Sequence, residues 1–311
     1  MADSPSSSPA PSEAAAPRTT ANRSALPTDS AFRSYISGGW AERPDITPSP
    51  RVAAPYAAAR RLRISQQYPG TRLIVPAGPA AVRSNDTDHP YRAHSAFAYL
   101  TGWGSDAVPD SVLVFEPTDD GHDATLYFLA AAGRDTTEFY ANAGIGEFWT
   151  GPRPSLAQVA ADLGLATRDH AEFEAVLDQV DAATLIVRDA DDGLTDQIDG
   201  RRLLAAVDAE TVEDEADATF ASDLSELRFV KDDWELSELR AAIAATKRGF
   251  DEVIADLPAA IATERGERVV EGTFDRRARI DGNTVGYDTI AASGPHACYL
   301  HWTRNDGPVV P

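Results

Sequence analysis

Cysteine is almost missing from this chain of 311 residues, in which Cys298 is the single example. One cysteine cannot form an intramolecular disulfide or build a thiolate metal cluster, and we expect Cys298 to be a small buried residue. Long apolar runs are missing as well, since the best one, residues 126–132, falls far short of the ~20 residues that span a bilayer. These absences favour a reducing compartment, and we predict a cytoplasmic protein.

Positive charge is scarce in the sequence. There are 28 basic and 49 acidic side chains, which gives a net charge of −21, and the only lysines are Lys231 and Lys247. A nucleic acid or an anionic membrane is therefore excluded as the main partner, because phosphate binding needs a cationic surface. The excess of acid is explained by a well-solvated surface, with a cationic substrate or a metal as the alternative.

Familiar catalytic motifs are also lacking. The sequence has no H-E-x-x-H helix, no G-x-S-x-G elbow, no Walker loop and no G-x-G-x-x-G turn after a strand. His296 and His301 are five residues apart around a predicted strand, so we expect their side chains on opposite faces. The residues alone therefore predict no shared metal site and leave the function open.

What the sequence does contain is an alternation of strand and helix patterns. Residues 1–28 are rich in Ala, Ser and Pro and lack the apolar core of a signal peptide, which predicts a disordered arm. Apolar runs then predict strands at 71–76, 111–116, 125–129 and 184–187. Helical spacing predicts helices near 29–37, 53–68, 155–163, 171–180 and 195–207. Strands that alternate with helices indicate an α/β sheet in a first domain.

An acidic stretch at 207–223 marks the predicted boundary to a second domain. A long helix is predicted beyond it, with Asp232 and Glu235 as a capping pair. Its apolar residues recur at helical spacing and are Leu236, Leu239, Ile243, Phe250, Val253 and Ile254. A shorter helix at 269–280 and two strands, at 289–292 and 297–301, are predicted to follow.

Two segments of the first domain have an unusual composition. Residues 83–92 are dense in polar, turn-forming side chains, as in many loops. Residues 97–103 hold Phe97, Tyr99 and Trp103, which suit a packed core and a ligand wall equally well. Spacing alone does not decide between these two roles.

The same segments carry a resemblance to a known family. The run RSNDTDHPYRAHSAFAYLTGW at 83–103, with RDTTEFYANAGIGEFWTGPR at 134–153, resembles the N-terminal domain of Xaa-Pro aminopeptidases, the aminopeptidase P family. LRFVKDDWELSELRAA at 227–242 resembles the entry into the family's catalytic pita-bread domain, and GNTVGYDTIAASGPHACYLHWTRNDGPV at 282–309 resembles its substrate-side strands. The resemblance implies an α/β N-terminal domain at 29–222, followed by the first part of an α+β pita-bread metallopeptidase domain at 223–311.

The resemblance also implies an activity. Members of the family release the N-terminal residue of peptides whose second residue is proline. Because proline lacks an N–H and fixes φ, the bond before it resists ordinary peptidases. Two divalent ions, usually manganese, activate water and polarise the scissile carbonyl in this family. The expected partners are therefore peptides with proline at the second position.

Four residues match functional positions of the family. The resemblance implies that His301 is catalytic, forming a hydrogen bond to the substrate or intermediate beside the metal pair, and that Tyr287 lines the same pocket. Asp86 and Trp149 match substrate-binding residues that the first domain offers to the active site of a neighbouring subunit. A homo-oligomer is therefore expected.

The metal ligands of the family have no match in this sequence. They are two aspartates, one histidine and two glutamates, and the first aspartate lies on a strand that follows the HWTRNDGPV segment at 301–309. We therefore expect no bound metal, no activity from these 311 residues alone and an aggregation-prone second domain, as in a C-terminally truncated fragment of an Xaa-Pro aminopeptidase. The alternatives are a short, non-catalytic homologue that acts in oligomerisation or peptide binding, and a prolidase-like or creatinase-like hydrolase.

Overall fold

The computed structural model describes residues 29–43, 46–85, 87–181, 183–205 and 214–310. They form two compact units, one with residues up to 54 and 61–220, the other with residues 55–60 and those from 221 onward. The predicted arm at 1–28, the site residue Asp86 and residues 207–213 of the predicted acidic boundary lie outside the described residues.

The first unit is built on a mixed five-stranded sheet in the order β6-β5-β4-β1-β7. Within this sheet, strands β1 and β4 and strands β4 and β5 pair antiparallel, whereas strands β5 and β6 and strands β1 and β7 pair parallel. A separate ribbon pairs β2 with β3. The strands are β1 (Leu73–Pro76), β2 (Val82–Ser84), β3 (Thr87–Asp88), β4 (Val112–Thr118), β5 (Gly121–Phe128), β6 (Ala166–Asp169) and β7 (Leu185–Ile186).

Helices accompany the strands of the first unit, as an α/β fold requires. They are α1 (Ser30–Ser37), α2 (Ala54–Gln67), α3 (Ser95–Thr101), α4 (Glu138–Ala141), α5 (Glu147–Thr150), α6 (Leu156–Leu163), α7 (Glu174–Leu177) and α8 (Asp192–Ala205), with 3-10 turns at His170–Phe173 and Arg188–Ala190. All four residues of β1 and the first four of β4 are buried. A strand buried on both faces reads as a continuous apolar run, which is why these strands were predictable.

The aromatic segment at 97–103 belongs to the core of this unit. Phe97, Tyr99 and Trp103 are all buried, and the Trp103 ring lies edge-on to Phe128 at 5.4 Å between centroids. Of the two roles that the sequence left open, the structure shows core packing.

A buried ion-pair network stabilises one end of the sheet. The Asp217 carboxylate accepts hydrogen bonds from the Ile186 backbone N–H at 2.9 Å and from the Arg202 guanidinium at 2.7 and 2.8 Å. Arg202 and Asp217 are 5% and 1% exposed. Arg188 joins the network, and its hydrogen bond to Asp199 lowers the pKa of that carboxyl. The network ties β7 to α8 and to the start of the following helix.

The second unit is mainly helical in the described residues. α9 (Glu215–Phe229) spans the boundary, and α10 (Asp233–Ile261) and α11 (Gly266–Asp281) pack against each other. The predicted cap of α10 is confirmed: Asp232 accepts from the Glu235 N–H, and Glu235 accepts from the Asp232 N–H. Where α10 meets α11, Gly249 lets the Phe274 ring approach the helix backbone.

Two predictions for the end of the chain were wrong. The strands at 289–292 and 297–301 are absent, because the backbone there bonds to side chains and not to a neighbouring strand: Ala291 N–H donates to Asn305 and Ser293 N–H to Glu267. A 3-10 turn, Gly294–Cys298, replaces the second strand. Cys298 is exposed and not buried, and the 3-10 turn that it ends has no buried residue.

The apolar stripe of α10 is largely exposed, although its helix was correctly predicted. Ile243 is 68% exposed and Ile254 63%, whereas Val253 is buried. Leu239 and Phe250 belong to the same exposed stripe. None of the described helices is both long and apolar enough to cross a membrane. An exposed apolar surface of this kind favours self-association.

The buried network predicts a large stability effect at Asp217. Asp217→Asn removes the buried one of the two carboxylates that pair with Arg202, the other being Asp199, so we expect the free energy of unfolding to fall by about 3 kcal/mol. The control is Glu172→Gln, which breaks the ion pair between Arg168 and Glu172, whose side chains are 58% and 50% exposed. This substitution is expected to change the free energy of unfolding by less than about 0.5 kcal/mol. Urea unfolding of both variants measures this, and equal effects would contradict the role of the network.

The exposed stripe predicts aggregation of the 311-residue chain. Replacing Ile243 and Ile254 with lysine interrupts the stripe, so light scattering at micromolar concentration is expected to fall. Leu204→Lys is the matched control, because Leu204 is 88% exposed but lies on α8. If the unsubstituted chain stays fully monomeric and unfolds in a single sharp transition, this expectation is wrong.

Candidate functional site

The carboxylate of Glu267 accepts four hydrogen bonds within the second unit. Glu267 lies in the first turn of α11, where the helix dipole favours negative charge, and it is fully buried. Its Oε1 accepts from the Ser293 N–H at 2.9 Å and is 2.8 Å from His296 Nδ1. Its Oε2 accepts from the Trp302 indole N–H at 2.9 Å and from the Gly307 N–H at 2.8 Å. Four residues of the segment 282–310 are therefore bonded to the same side chain.

The electrostatics of Glu267 follow from this set of donors. Burial acts to raise the pKa of the carboxyl, but the hydrogen bonds from Ser293, Trp302, Gly307 and His296 outweigh it and lower the pKa to about 2. Hydrogen bonds to the charged form of a carboxyl favour ionisation in this way. Glu267 is therefore a fixed negative charge at neutral pH.

Asn305 provides a second anchor for the same segment. It is fully buried, and its φ of 46° lies in the left-handed region that asparagine tolerates well. Its Oδ1 accepts from the Ala291 N–H at 2.9 Å, and its Nδ2 donates to the Thr289 carbonyl at 2.8 Å. Thr289 Oγ1 in turn donates to Asp275 on α11 at 3.0 Å. The segment is thus held near both its beginning and its end.

The two site residues predicted in this unit lie on the anchored segment. His301 is exposed and directly precedes Trp302, whose ring is buried and bonded to Glu267. Tyr287 is 84% exposed and lies two residues before Thr289. Among the residues that the structure describes, neither side chain has a hydrogen-bond partner. The chain is anchored close to each of them, at Trp302 and at Thr289, and both side chains are exposed.

The predicted residues of the first unit are in different situations. Trp149 lies on α5, its indole N–H donates to the Tyr140 carbonyl at 2.8 Å, and it is 45% exposed. Its ring lies edge-on to the Phe148 ring, with 5.9 Å between the ring centroids. Asp86 lies outside the described residues. The structure therefore places Trp149 where a ligand can reach part of its ring.

Sequence reasoning missed Glu267, Asn305 and the role of His296. His296 bonds to Glu267 and stacks on Trp302 with 3.9 Å between ring centroids, although its sequence context suggested an isolated structural or surface histidine. The prediction that His296 and His301 face opposite sides assumed a regular strand, which is absent here. The sequence signal for Glu267 was its position close to the predicted start of a helix, where the helix dipole favours an acidic side chain.

A metal site is not formed by the described residues. No group of three or more His, Cys, Asp or Glu side chains within them has the arrangement of a metal-binding cluster. The Glu267 carboxylate is bonded to four donors, which is the environment of an anion that is already satisfied. The side chains of the described residues therefore do not fit a divalent ion.

The low pKa of Glu267 predicts a pH-dependent stability. Because folding depresses this pKa from 4.5 to about 2, the carboxylate contributes fully above pH 4.5 and loses its contribution as the pH falls towards 2. The difference in free energy of unfolding between the unsubstituted chain and Glu267→Gln is expected to shrink by on the order of 3 kcal/mol between pH 6 and pH 2.

Urea titrations at a series of pH values measure this difference. Glu264→Gln serves as the control, because Glu264 is exposed and lies just before α11. Parallel pH profiles for the unsubstituted chain and Glu267→Gln would show that the carboxylate is not held in its charged form.

Comparison with known proteins identifies relatives over nearly all of the chain. Residues 57–186 match the family model described as aminopeptidase P, N-terminal domain. The chain is 46% identical over 293 residues to Xaa-Pro aminopeptidase 2 of Streptomyces coelicolor, which covers 93% of this chain and 58% of that protein. It is 43% identical over 278 residues to Xaa-Pro aminopeptidase 1 of the same organism, covering 88% and 52%. The chain thus spans little more than half the length of these relatives.

Solved structures show the same fold. The low-pH form of aminopeptidase P from E. coli matches with a TM-score of 0.65 at 22% identity, covering 83% of this chain and 57% of that one. A zinc-substituted form of that protein in complex with product matches with a TM-score of 0.64 at 22% identity, over the same shares of the two chains. The fold is therefore the α/β N-terminal domain followed by part of a pita-bread catalytic domain, as the sequence predicted. This chain belongs to the aminopeptidase P family.

Proposed function

We propose that the chain is part of an Xaa-Pro aminopeptidase, which removes the N-terminal residue of a peptide whose second residue is proline. The observation that carries this proposal is the 46% identity to Xaa-Pro aminopeptidase 2 over 93% of the chain, a match that extends into both units. The relatives named above are Xaa-Pro aminopeptidases, which favours this activity over a prolidase-like, creatinase-like or non-catalytic role.

The second unit supports the proposal through the placement of His301 and Tyr287. A peptidase must bind a carbonyl oxygen that gains negative charge as water attacks, and preorganised hydrogen-bond donors stabilise that charge. In the proposed mechanism the His301 imidazole donates to the substrate or intermediate, and Tyr287 lines the same pocket. Both side chains are exposed, on a segment whose backbone is fixed by Glu267 and Asn305.

The first unit is proposed to contribute Trp149 and Asp86 to the binding of peptide in a neighbouring subunit. The half-exposed ring of Trp149 is held by its hydrogen bond to the Tyr140 carbonyl, and such a rigid aromatic face suits the compact, apolar ring of proline. This role requires a homo-oligomer, which forms part of the proposal. We also retain a cytoplasmic location, for which the single cysteine is the supporting observation.

Divalent ions are part of the proposed chemistry, with manganese as the expected metal. Two such ions would activate water and polarise the scissile bond. Since the described residues contain no three-ligand cluster, we propose that the 311-residue chain alone does not hydrolyse peptides. The activity is proposed for a protein that also contains residues able to bind the metals.

A chimaera tests this proposal. The part of Xaa-Pro aminopeptidase 2 that matches is replaced by this chain, and Xaa-Pro peptide hydrolysis is measured with manganese. We expect turnover by the chimaera and none by the 311-residue chain. His301→Ala is expected to lower kcat/KM by about 100-fold or more, the usual cost of losing a preorganised donor.

His170→Ala is the matched control, since His170 lies in a 3-10 turn of the first unit and is expected to leave kcat/KM unchanged. Turnover by the 311-residue chain would refute the account of the metal site. Full activity of the His301→Ala chimaera would refute the role given to His301.

A further inference from the structure

We infer that Glu267 is the positioning residue of His301, an inference that rests on the proposed function. Glu267 lies on α11 and is fully buried, so it is not placed to contact a substrate. Its four hydrogen-bond donors flank His301 in the chain, with Ser293 and His296 before it and Trp302 and Gly307 after it. The carboxylate closes the loop that presents His301, and in doing so fixes where the imidazole lies.

The packing around Trp302 transmits this restraint to the neighbouring residue. The Trp302 ring stacks on the His296 ring with 3.9 Å between centroids, and the Arg304 guanidinium lies over it at 4.0 Å from the ring centroid. Its indole N–H is bonded to Glu267. Since His301 adjoins Trp302 and its carbonyl accepts from the Thr303 N–H at 3.0 Å, its backbone has little freedom.

Two glycines show how closely the loop fits the carboxylate. A Cβ on Gly307 would collide with the His296 ring and come within 3.1 Å of Glu267 Oε2. A Cβ on Gly266 would collide with the Ala260 carbonyl and lie 2.9 Å from the Val309 backbone nitrogen. At both glycines the backbone packs so closely against its neighbours that a side chain would not fit, which restricts how the loop can lie beside Glu267.

A structural role and a positioning role predict different results. If Glu267 only stabilises the fold, Glu267→Gln and His301→Ala act independently and their effects on kcat add. If Glu267 acts through His301, Glu267→Gln is expected to lower kcat only slightly in a variant that already lacks the imidazole. A double-mutant cycle separates the two cases.

The first arm of the experiment needs no activity. Amide hydrogen exchange is measured in the 311-residue chain at Ser293, Thr303 and Gly307. Because glutamine cannot accept from all four donors, Glu267→Gln is expected to speed exchange at these amides by about tenfold or more. The amides of α10 are expected to keep their protection. Thr273→Val is the control, since Thr273 is buried on the same helix and donates to Asp256 and not to Glu267.

The second arm uses the chimaera with Xaa-Pro aminopeptidase 2. Glu267→Gln is expected to lower kcat by about 10- to 100-fold with KM little changed, because a displaced group loses its alignment while the substrate still binds. In the His301→Ala background the same substitution is expected to have almost no further effect, and Thr273→Val is expected to leave kcat unchanged.

Faster exchange together with non-additive losses supports the inference. Unchanged exchange at Ser293 and Gly307, or additive losses of kcat, overturns it. If Glu267→Gln does not fold, Trp302→Phe takes its place in both arms, since it removes one donor and keeps an aromatic ring. An unsubstituted chimaera without turnover refutes the proposed function, and the exchange arm then decides by itself whether Glu267 fixes the loop.

Discussion

The second unit depends on one buried negative charge. A carboxylate removed from water is costly unless every lone pair finds a donor, and Glu267 meets this condition with two backbone and two side-chain groups. The segment 282–310 has neither a helix nor a strand apart from one 3-10 turn, so little regular backbone pairing holds it. Its conformation is set by side chains that reach into it, and Glu267 is the central one.

This arrangement explains how an irregular segment can carry a precise site. Loops can hold functional side chains because a rigid scaffold fixes their ends. Here the scaffold is α11, which supplies Glu267 and also Asp275, the acceptor for Thr289. His301 is left exposed between the anchors, and Tyr287 is exposed just before the first of them. The first unit uses a different principle, a sheet with an apolar interior and a buried Arg202–Asp217 pair.

The sequence predicted the elements whose signal is local. The buried strands β1 and β4 are continuous apolar runs, and the start of α10 is a capping pair, so both could be found without a structure. Strand β6 was missed because its residues, Ala166–Asp169, are mostly polar and its pairing with β5 is a long-range contact. The two strands predicted at the end of the chain failed for a related reason, since an apolar pattern does not show whether a partner strand exists.

The site was predictable only in part. The family resemblance named His301 and Tyr287, whereas Glu267 is one of 49 acidic residues, and its place near the start of a predicted helix does not reveal what it binds. Its importance follows from donors up to 40 positions away in the chain. The most direct test is a pH titration of the Glu267 side-chain carboxyl by ¹³C NMR in the 311-residue chain. A midpoint at about pH 2 is expected, and a midpoint near the ordinary value of 4.5 would contradict the account.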